Sequence, residues 1–405
     1  MHEITDCEVC RNKHLVSVLD LGLHPLCDDL VPIRQSRVCK EYPIEVLYCQ
    51  RCRTGHQRFQ VEKRELFPVS YHYRARFTAD VLNGMKELVA TCTERFGSLA
   101  GKRLLDVGCN DGSLLDFFRQ QGATTFGIEP TGAFRDAAAK GHVVVNDFLS
   151  PEVASRFVQE HGHPDLITFT NVFAHIENLG ELVEAVRTLL GSRGLLVIEN
   201  HYLGAVLKRD QFDTFYHEHP RTYSATSFSY IAQSLGAAIT HLQFPARYGG
   251  NIRVFIEKGG GVPMDHSAAL TREEGFEAEF ATMRSRIARW QERKSAKIDA
   301  LVRTHGPLHA KAFPARASIL TRLLHLSEKK VCSFHEKPGS LKIGHYVPGT
   351  RIPIVSDHDL FHNGDVSVPV LNFASHISGE IRAYLLQHGY KGEVVDIVTP
   401  EDFAP

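Results

Sequence analysis

The chain has 405 residues, 43% of them hydrophobic and 23% charged, with a formal net charge of -1. This is an ordinary globular composition, too long for one core and suited to two or three domains. A near-neutral chain has no electrostatic footprint for nucleic acid or a membrane surface. No apolar run reaches the ~18 residues of a membrane span, and Met1-His-Glu-Ile-Thr-Asp6 lacks the basic and apolar character of a signal segment, so a cytoplasmic protein is expected.

Residues 1–65 are expected to form a zinc-binding domain, because they carry Cys7-Glu-Val-Cys10 and Cys49-Gln-Arg-Cys52. Each C-x-x-C turn presents two thiolates to one ion, and two such turns close a tetrahedral site. Structural Zn2+ held by Cys7, Cys10, Cys49 and Cys52 is the expectation, with no open position for catalysis. A disulfide switch is the alternative and would need only one pair. An odd count of nine cysteines suits a reducing compartment better than a disulfide framework. Cys27, Cys39, Cys92, Cys109 and Cys332, without partners at metal spacing, are expected as buried thiols.

Leu66-Phe-Pro-Val-Ser-Tyr-His-Tyr-Arg-Ala-Arg-Phe77 precedes a helix predicted from Thr78 to Phe96. Tyr71 and Tyr73 either close over a cofactor or pack one domain against another. Arg103 to Val107, an apolar run with the single acid Asp106, reads as a buried parallel strand. It breaks at Gly108-Cys-Asn-Asp-Gly112 into Ser113-Leu-Leu-Asp-Phe-Phe-Arg119, the start of a helix. Such a break lets a ligand approach bare backbone at a helix N-terminus. Asn110 and Ser113 stand where a dinucleotide fingerprint needs glycine, and no Gly-Lys-Ser/Thr of a P-loop follows. A compact turn of this kind suits a ligand with an amino acid and a nucleoside but no pyrophosphate, which is S-adenosylmethionine. Asp106, Gly108, Asn110 and Gly112 are therefore candidate cofactor residues. Thr124-Thr-Phe-Gly-Ile-Glu129 reads as the next strand, with Glu129 placed about 20 residues on to accept ribose hydroxyls. Val143-Val-Val-Asn-Asp147 ends a third strand at Asp147, a candidate acceptor for the adenine amino group.

Strands near residues 104, 125, 143, 166 and 195 alternate with helical patterns, which predicts an α/β fold with a doubly wound, Rossmann-like parallel sheet within residues 66–260. Asp165-Leu-Ile-Thr-Phe-Thr-Asn171 places Asn171 at a carboxyl strand end, where open α/β sheets bind ligands. His175 follows and either faces the transferred group or caps the next helix. Gln211-Phe-Asp-Thr-Phe-Tyr-His-Glu-His-Pro-Arg-Thr-Tyr-Ser224 sets two histidines around a carboxylate between tyrosines. If extended, His217 and His219 face one way and Glu218 the other. Proton transfer suits imidazoles titrating near neutrality; an H-x-H metal pair and a polar surface loop are the alternatives. Tyr248-Gly-Gly-Asn-Ile-Arg-Val-Phe255 joins a glycine turn to a polar-edged strand. Residues 261–303 read as a connecting amphipathic helix, with Phe276, Phe280, Met283, Ile287 and Trp290 near helical spacing. Residues 304–405 read as a smaller α/β domain with strands at Val331–His335, Val368–Leu371 and Glu393–Val398.

These residues resemble one family, the S-adenosylmethionine-dependent C-methyltransferases of nucleotide-linked ketosugars. The resemblance runs through the cysteine pairs and Val18-Leu-Asp-Leu-Gly-Leu-His-Pro-Leu26 between them, Leu104 to Leu115, Tyr216-His-Glu-His219, Tyr248-Gly-Gly-Asn-Ile-Arg253 and Pro348-Gly-Thr-Arg-Ile-Pro-Ile354. It implies an N-terminal zinc-binding domain, a central methyltransferase domain and a C-terminal Rossmann-like domain that helps hold a nucleotide-linked ketosugar. It also implies His219 as general base, Tyr216, Glu218 and His175 on the substrate side, and Tyr71 as the aromatic residue ahead of the core. The chain departs from the family twice. Arg74-Ala-Arg76-Phe77 replaces a serine-rich segment, and Gly306-Pro-Leu-His-Ala-Lys-Ala-Phe-Pro314 replaces a glycine-rich turn. Both regions face substrate in the family, which implies an atypical sugar or nucleotide. An O- or N-methyltransferase, or a non-catalytic zinc-ribbon protein, are the rival readings.

Overall fold

A computed structural model describes residues 1–68, 73–362 and 365–404. The chain forms two compact units that interleave along the sequence: 1–17, 47–208 and 218–277 make the first, and 18–46, 209–217 and 278–405 the second.

The first unit is built on a seven-stranded sheet. Its strands are β1 (Arg103–Val107), β2 (Thr124–Ile128), β3 (Val143–Val145), β4 (Leu166–Thr170), β5 (Gly194–His201), β6 (Ala238–Gln243) and β7 (Asn251–Lys258). The order is β6-β7-β5-β4-β1-β2-β3. All neighbours from β5 to β3 pair in parallel, while β7 runs antiparallel to both β5 and β6. The five predicted parallel strands are all present, and a hairpin extends them at one edge.

Period-2 alternation divides the apolar runs between two cores. Leu105, Val107, Ile167, Phe169, Leu196 and Ile198 join one cluster. Leu104, Leu166, Leu195 and Val197 join the other, with Leu114, Leu115 and Phe118 from helix α2 (Ser113–Gln120). Helix α1 (Ala79–Phe96) adds Val81, Met85, Leu88, Val89 and Cys92, one stripe at helical spacing. Burying each large side chain contributes about 1.5–3 kcal/mol, so both faces of the sheet are committed. The carboxyl strand ends are left to carry chemistry.

The second unit carries its own sheet, with β8 (Leu308–Lys311), β9 (Val331–Glu336), β10 (His345–Tyr346), β11 (Pro353–Ser356), β12 (Val370–Asn372) and β13 (Val394–Asp396). The order is β13-β12-β8-β9-β11-β10, closed by Val31–Pro32 from the inter-cysteine segment. Its parallel core reverses direction of winding between β8 and β12. The helix Phe276–His305 buries the five apolar residues expected of it, and Trp290 Nε1 donates to Ile397 O at 2.9 Å.

Candidate active site and metal centre

The four knuckle cysteines of the first unit converge, with their Sγ atoms all within 4.8 Å of one another. Cys7 and Cys52 are 3.3 Å apart and Cys10 and Cys49 3.6 Å apart. A Zn–S bond of about 2.3 Å requires sulfurs about 3.8 Å apart in a tetrahedron, so the donor set fits zinc. Each knuckle turns on a residue in the left-handed region, Arg11 (φ 60°) and Arg53 (φ 59°). Among the described residues this is the one His/Cys/Asp/Glu cluster of metal-ligating geometry.

The turn between β1 and α2 is held open by its glycines. Gly108 (φ 72°) lies so close to Val172 that a Cβ would stand 2.5 Å from its Cγ2, and at Gly112 (φ 74°) one would stand 2.9 Å from Ala137 Cβ. Glu129, directly after β2, clasps the turn: Oε2 accepts from Asn110 N at 2.9 Å, and Oε1 accepts from Thr131 N at 2.8 Å and Thr131 Oγ1 at 2.6 Å. Oε1 is thereby fully used, while Oε2 keeps one further lone pair, so one hydroxyl donor can still be accepted. Asp106 lies beneath the turn, accepting from Thr168 Oγ1 at 2.7 Å, and burial raises its carboxyl to about 7. Asp147 lies beyond the end of β3 with half its side chain exposed, 3.9 Å from Arg156. Bare backbone at a helix start, a carboxylate after β2 and an exposed acid after β3 fit a nucleoside bearing an amino acid.

An arm ahead of α1 is latched to this turn. Asn110 Oδ1 accepts from Ala75 N at 3.0 Å, Asn110 Nδ2 donates to Tyr73 O at 3.2 Å, and buried Asp111 accepts from Arg76 N at 2.9 Å. Arg74 and Arg76 both reach Asp136, at 2.8 and 3.1 Å. The departure from a serine-rich segment is thus an ion-paired clasp. Tyr71 lies outside the described residues.

At the carboxyl ends of β4 and β5, three imidazoles meet. The His219 ring is 4.8 Å from that of His175 and 5.3 Å from that of His201. Glu218 Oε2 is 3.9 Å from His175 Nδ1. His175 N donates to Val172 O at 2.8 Å, and Val172 is the residue packed on Gly108, so few contacts separate the histidines from the glycine turn. Burial pushes His175 down to about 4, so its ring is neutral at pH 7. Asn171, at φ 54°, donates its backbone N–H to Glu199 O at 2.7 Å, and its Oδ1 accepts from Asn251 Nδ2 at 3.3 Å.

The Tyr-His-Glu-His segment is not extended, so the condition under which His217 and His219 would share a face is not met. Residues 212–214 form a 3-10 turn and 217–218 a further turn, so alternate residues do not share a face. In the second unit, His217 Nε2 bonds Tyr42 O at 3.1 Å, and burial pushes the ring down to about 4. Tyr216, also of that unit, donates its backbone N–H to Thr214 O at 3.1 Å.

Sequence reasoning missed a buried ionic network below the site. Glu199 accepts from Arg247 Nη2 at 2.8 Å, Asn251 Nδ2 at 2.9 Å and Arg253 Nε at 2.6 Å. A lone acid at the end of the apolar run Leu195–Ile198 was the available signal. His201 was equally findable, as a strand-end histidine next to Asn200.

Two family models match the chain, one described as "Methyltransferase domain" over residues 77–242 and one as "Putative zinc binding domain" over residues 7–67. The C-methyltransferase NovU of Streptomyces niveus is 30% identical over 365 residues, which is 87% of this chain and 86% of that protein. The ubiquinone biosynthesis O-methyltransferase of Acinetobacter baumannii (strain AYE) is 30% identical over 105 residues, 25% of this chain and 44% of that protein. Among solved structures, magnesium protoporphyrin IX methyltransferase from Synechocystis PCC 6803 with bound SAH is 19% identical, covering 44% of this chain and 84% of that one at a TM-score of 0.35.

Proposed function

The chain belongs to the family of S-adenosylmethionine-dependent C-methyltransferases with an N-terminal zinc-binding domain, and from that premise we propose that it methylates a ring carbon next to the ketone of a nucleotide-linked ketosugar, with His219 as the base. The observation that carries this reading is the meeting of the His219, His175 and His201 rings beside Glu218, at the strand ends next to the glycine turn.

Carbon is a poor nucleophile unless charged, and a neighbouring ketone makes its C–H acidic. When bound, S-adenosylmethionine supplies an electrophilic methyl group. A ring nitrogen of His219 takes the α-proton, leaving an enediolate whose carbon is nucleophilic; a positioned base contributes typically about 10²–10⁴-fold. His175, neutral through burial, has an N–H to offer the developing oxyanion, and preorganised donors aimed at developing charge usually stabilise a transition state more than any other single effect. Glu218 Oε2 stands 3.9 Å from His175 Nδ1, near enough to orient that ring once substrate is bound. His219 and Glu218 are buried, which limits the water that would otherwise reprotonate the carbon. Asp106, Glu129 and Asp147 hold the cofactor around Gly108, Asn110 and Gly112, with Asn171 at the methyl end. Tyr216 takes the substrate-side role that the family resemblance gives it, and Tyr71, the aromatic residue ahead of the core, closes over the cofactor. The resemblance gives the nucleotide to the C-terminal domain; within that domain Lys311 ends β8 at the switch point beside β12, paired with Asp357 at 2.7 Å.

The test is mass spectrometry of the protein incubated with S-adenosylmethionine and a panel of nucleotide-linked ketosugars. A product heavier by one CH₂ is expected, together with solvent deuterium at the α-carbon when the cofactor is left out. Methyl gain on oxygen, with no exchange at carbon, would overturn this reading in favour of O-methylation.

A further inference from the structure

Arg221 lies two residues after His219 and is wholly buried. Its three donor groups go to three different places. Nη1 donates to Glu8 Oε2 at 2.6 Å, Nε to Tyr223 OH at 2.8 Å, and Nη2 to the carbonyl of Ile176. Glu8 follows the zinc ligand Cys7 directly, and Ile176 follows His175 directly. One planar guanidinium therefore spans from the metal knuckle to both histidine loops.

The surrounding backbone makes the same connection. Arg221–Thr222 pairs antiparallel with the strand Thr54–Gln57 that leaves the second knuckle, Arg221 opposite His56 and Thr222 opposite Gly55. Gln57 N donates to Pro220 O at 2.9 Å. Cys52 O accepts from Ser224 Oγ at 3.3 Å and Ser227 Oγ at 3.2 Å. Gln60 Nε2 adds a bond of 2.8 Å to the same Glu8 oxygen. The loop carrying His219 has no regular structure of its own from 215 to 220. Its placement is borrowed from the cysteine segment.

We propose that Arg221 is a positioning residue which, through Glu8, ties the alignment of the His175–His219 pair to the integrity of the zinc knuckle. The zinc then does more than stabilise an N-terminal domain: it sets the geometry of the acid/base cluster. A guanidinium suits this task because its five donors form a rigid fork, whereas an ammonium is a point charge. Displacing Glu8 moves the fork, and the fork moves the Ile176 carbonyl and the Pro220–Arg221 backbone together. The inference rests on the reading of His219 as the base.

The test uses the full zinc-loaded chain in three forms: Glu8→Gln, Arg221→Lys and wild type under graded chelation. The readouts are zinc content, S-adenosylmethionine affinity by calorimetry, imidazole ¹⁵N–¹H spectra, and kcat against KM on the methylated sugar. Expected for Glu8→Gln are unchanged zinc and cofactor affinity, shifted ring signals of His175 and His219, and kcat lowered about tenfold or more with KM nearly unchanged; a misplacement of about 1 Å can cost 10²-fold. Chelation should shift the same two rings before the unit unfolds. Ring signals that stay at their wild-type positions in folded, zinc-loaded Glu8→Gln overturn the proposal, as do rings that move under chelation only with global unfolding. The ring spectra need no substrate. Moving rings with no methylated sugar from any acceptor would sink the base assignment and leave the coupling standing.

Discussion

Gly84 lies in the middle of α1, where glycine ordinarily costs about 1 kcal/mol relative to alanine. Gly84→Ala on an unobstructed helix face would therefore stabilise. Here a Cβ would fall 1.0 Å from Arg247 Nη1 and 1.8 Å from its Cζ, so the guanidinium must leave. That removes its 2.8 Å bond to the buried Glu199 and its 3.3 Å bond to Val81 O. Glu199 keeps Arg253 and Asn251, so its charge is not orphaned. The loss is the charge-assisted bond to Glu199, about 1.5–3 kcal/mol, together with the longer and weaker one to Val81 O, and after the propensity gain the net is about 1–2 kcal/mol destabilising. The assay is urea unfolding followed by hydrogen exchange at the amides of β5 and β7. Trp290, the single tryptophan, belongs to the second unit and serves as an internal control. In an Arg247→Ala background the sign should reverse, since the obstructing atoms are gone. A Gly84→Ala protein more stable than wild type would refute the reasoning.

His219→Ala should abolish methyl transfer while leaving S-adenosylmethionine affinity by calorimetry within about twofold, because an absent base costs typically 10²–10⁴-fold in rate and nothing in cofactor contacts; full turnover refutes the assignment. Cys49→Ser should lower zinc content below one per chain and melt the first unit at a lower temperature, since metal binding energy is folding energy; unchanged metal content by atomic absorption counts against the four-cysteine site. Burial pushes His24, His175, His217 and His335 down to about 4 each. The unfolded chain takes up those protons near pH 6.5 and the folded chain does not, so stability is full above about pH 6.5 and falls between there and about pH 4, by up to about 1.4 kcal/mol per pH unit for each group. Asp106, raised to about 7 by burial, works the other way over the same window and blunts the slope. A urea midpoint that rises on acidification from pH 6.5 to 5 would contradict the balance.

The first unit was legible because its five parallel strands are apolar runs long enough to alternate between two cores, as Leu104 and Leu105 or Leu195 and Leu196 do. The strands that escaped notice lack that signal. Leu308-His-Ala-Lys311 is four residues long with His and Lys in it, and Pro353–Ser356 opens on a proline. The edge strand Ala238–Gln243 mixes Thr, His and Gln into its alternation. Their conformation comes from neighbours in the sheet, and neighbour pairing is invisible to local pattern.

The same distinction governs the site. The cofactor turn could be read residue by residue because glycines, a strand end and a helix start are local features. The histidine loop could not, because its conformation is set from outside the segment. The loop's hydrogen-bond partners lie in the cysteine segment more than 160 residues earlier, as with Gln57 N and Pro220 O. Arg221 is fully buried, and such a charge stays buried only when paired, but nothing in the segment's sequence announces that burial. Its partner, Glu8, shares no local pattern with it. Composition and spacing identify which side chains can do the chemistry. Long-range ion pairs decide where those side chains point, which is why the Arg221–Glu8 contact is the decisive one to perturb.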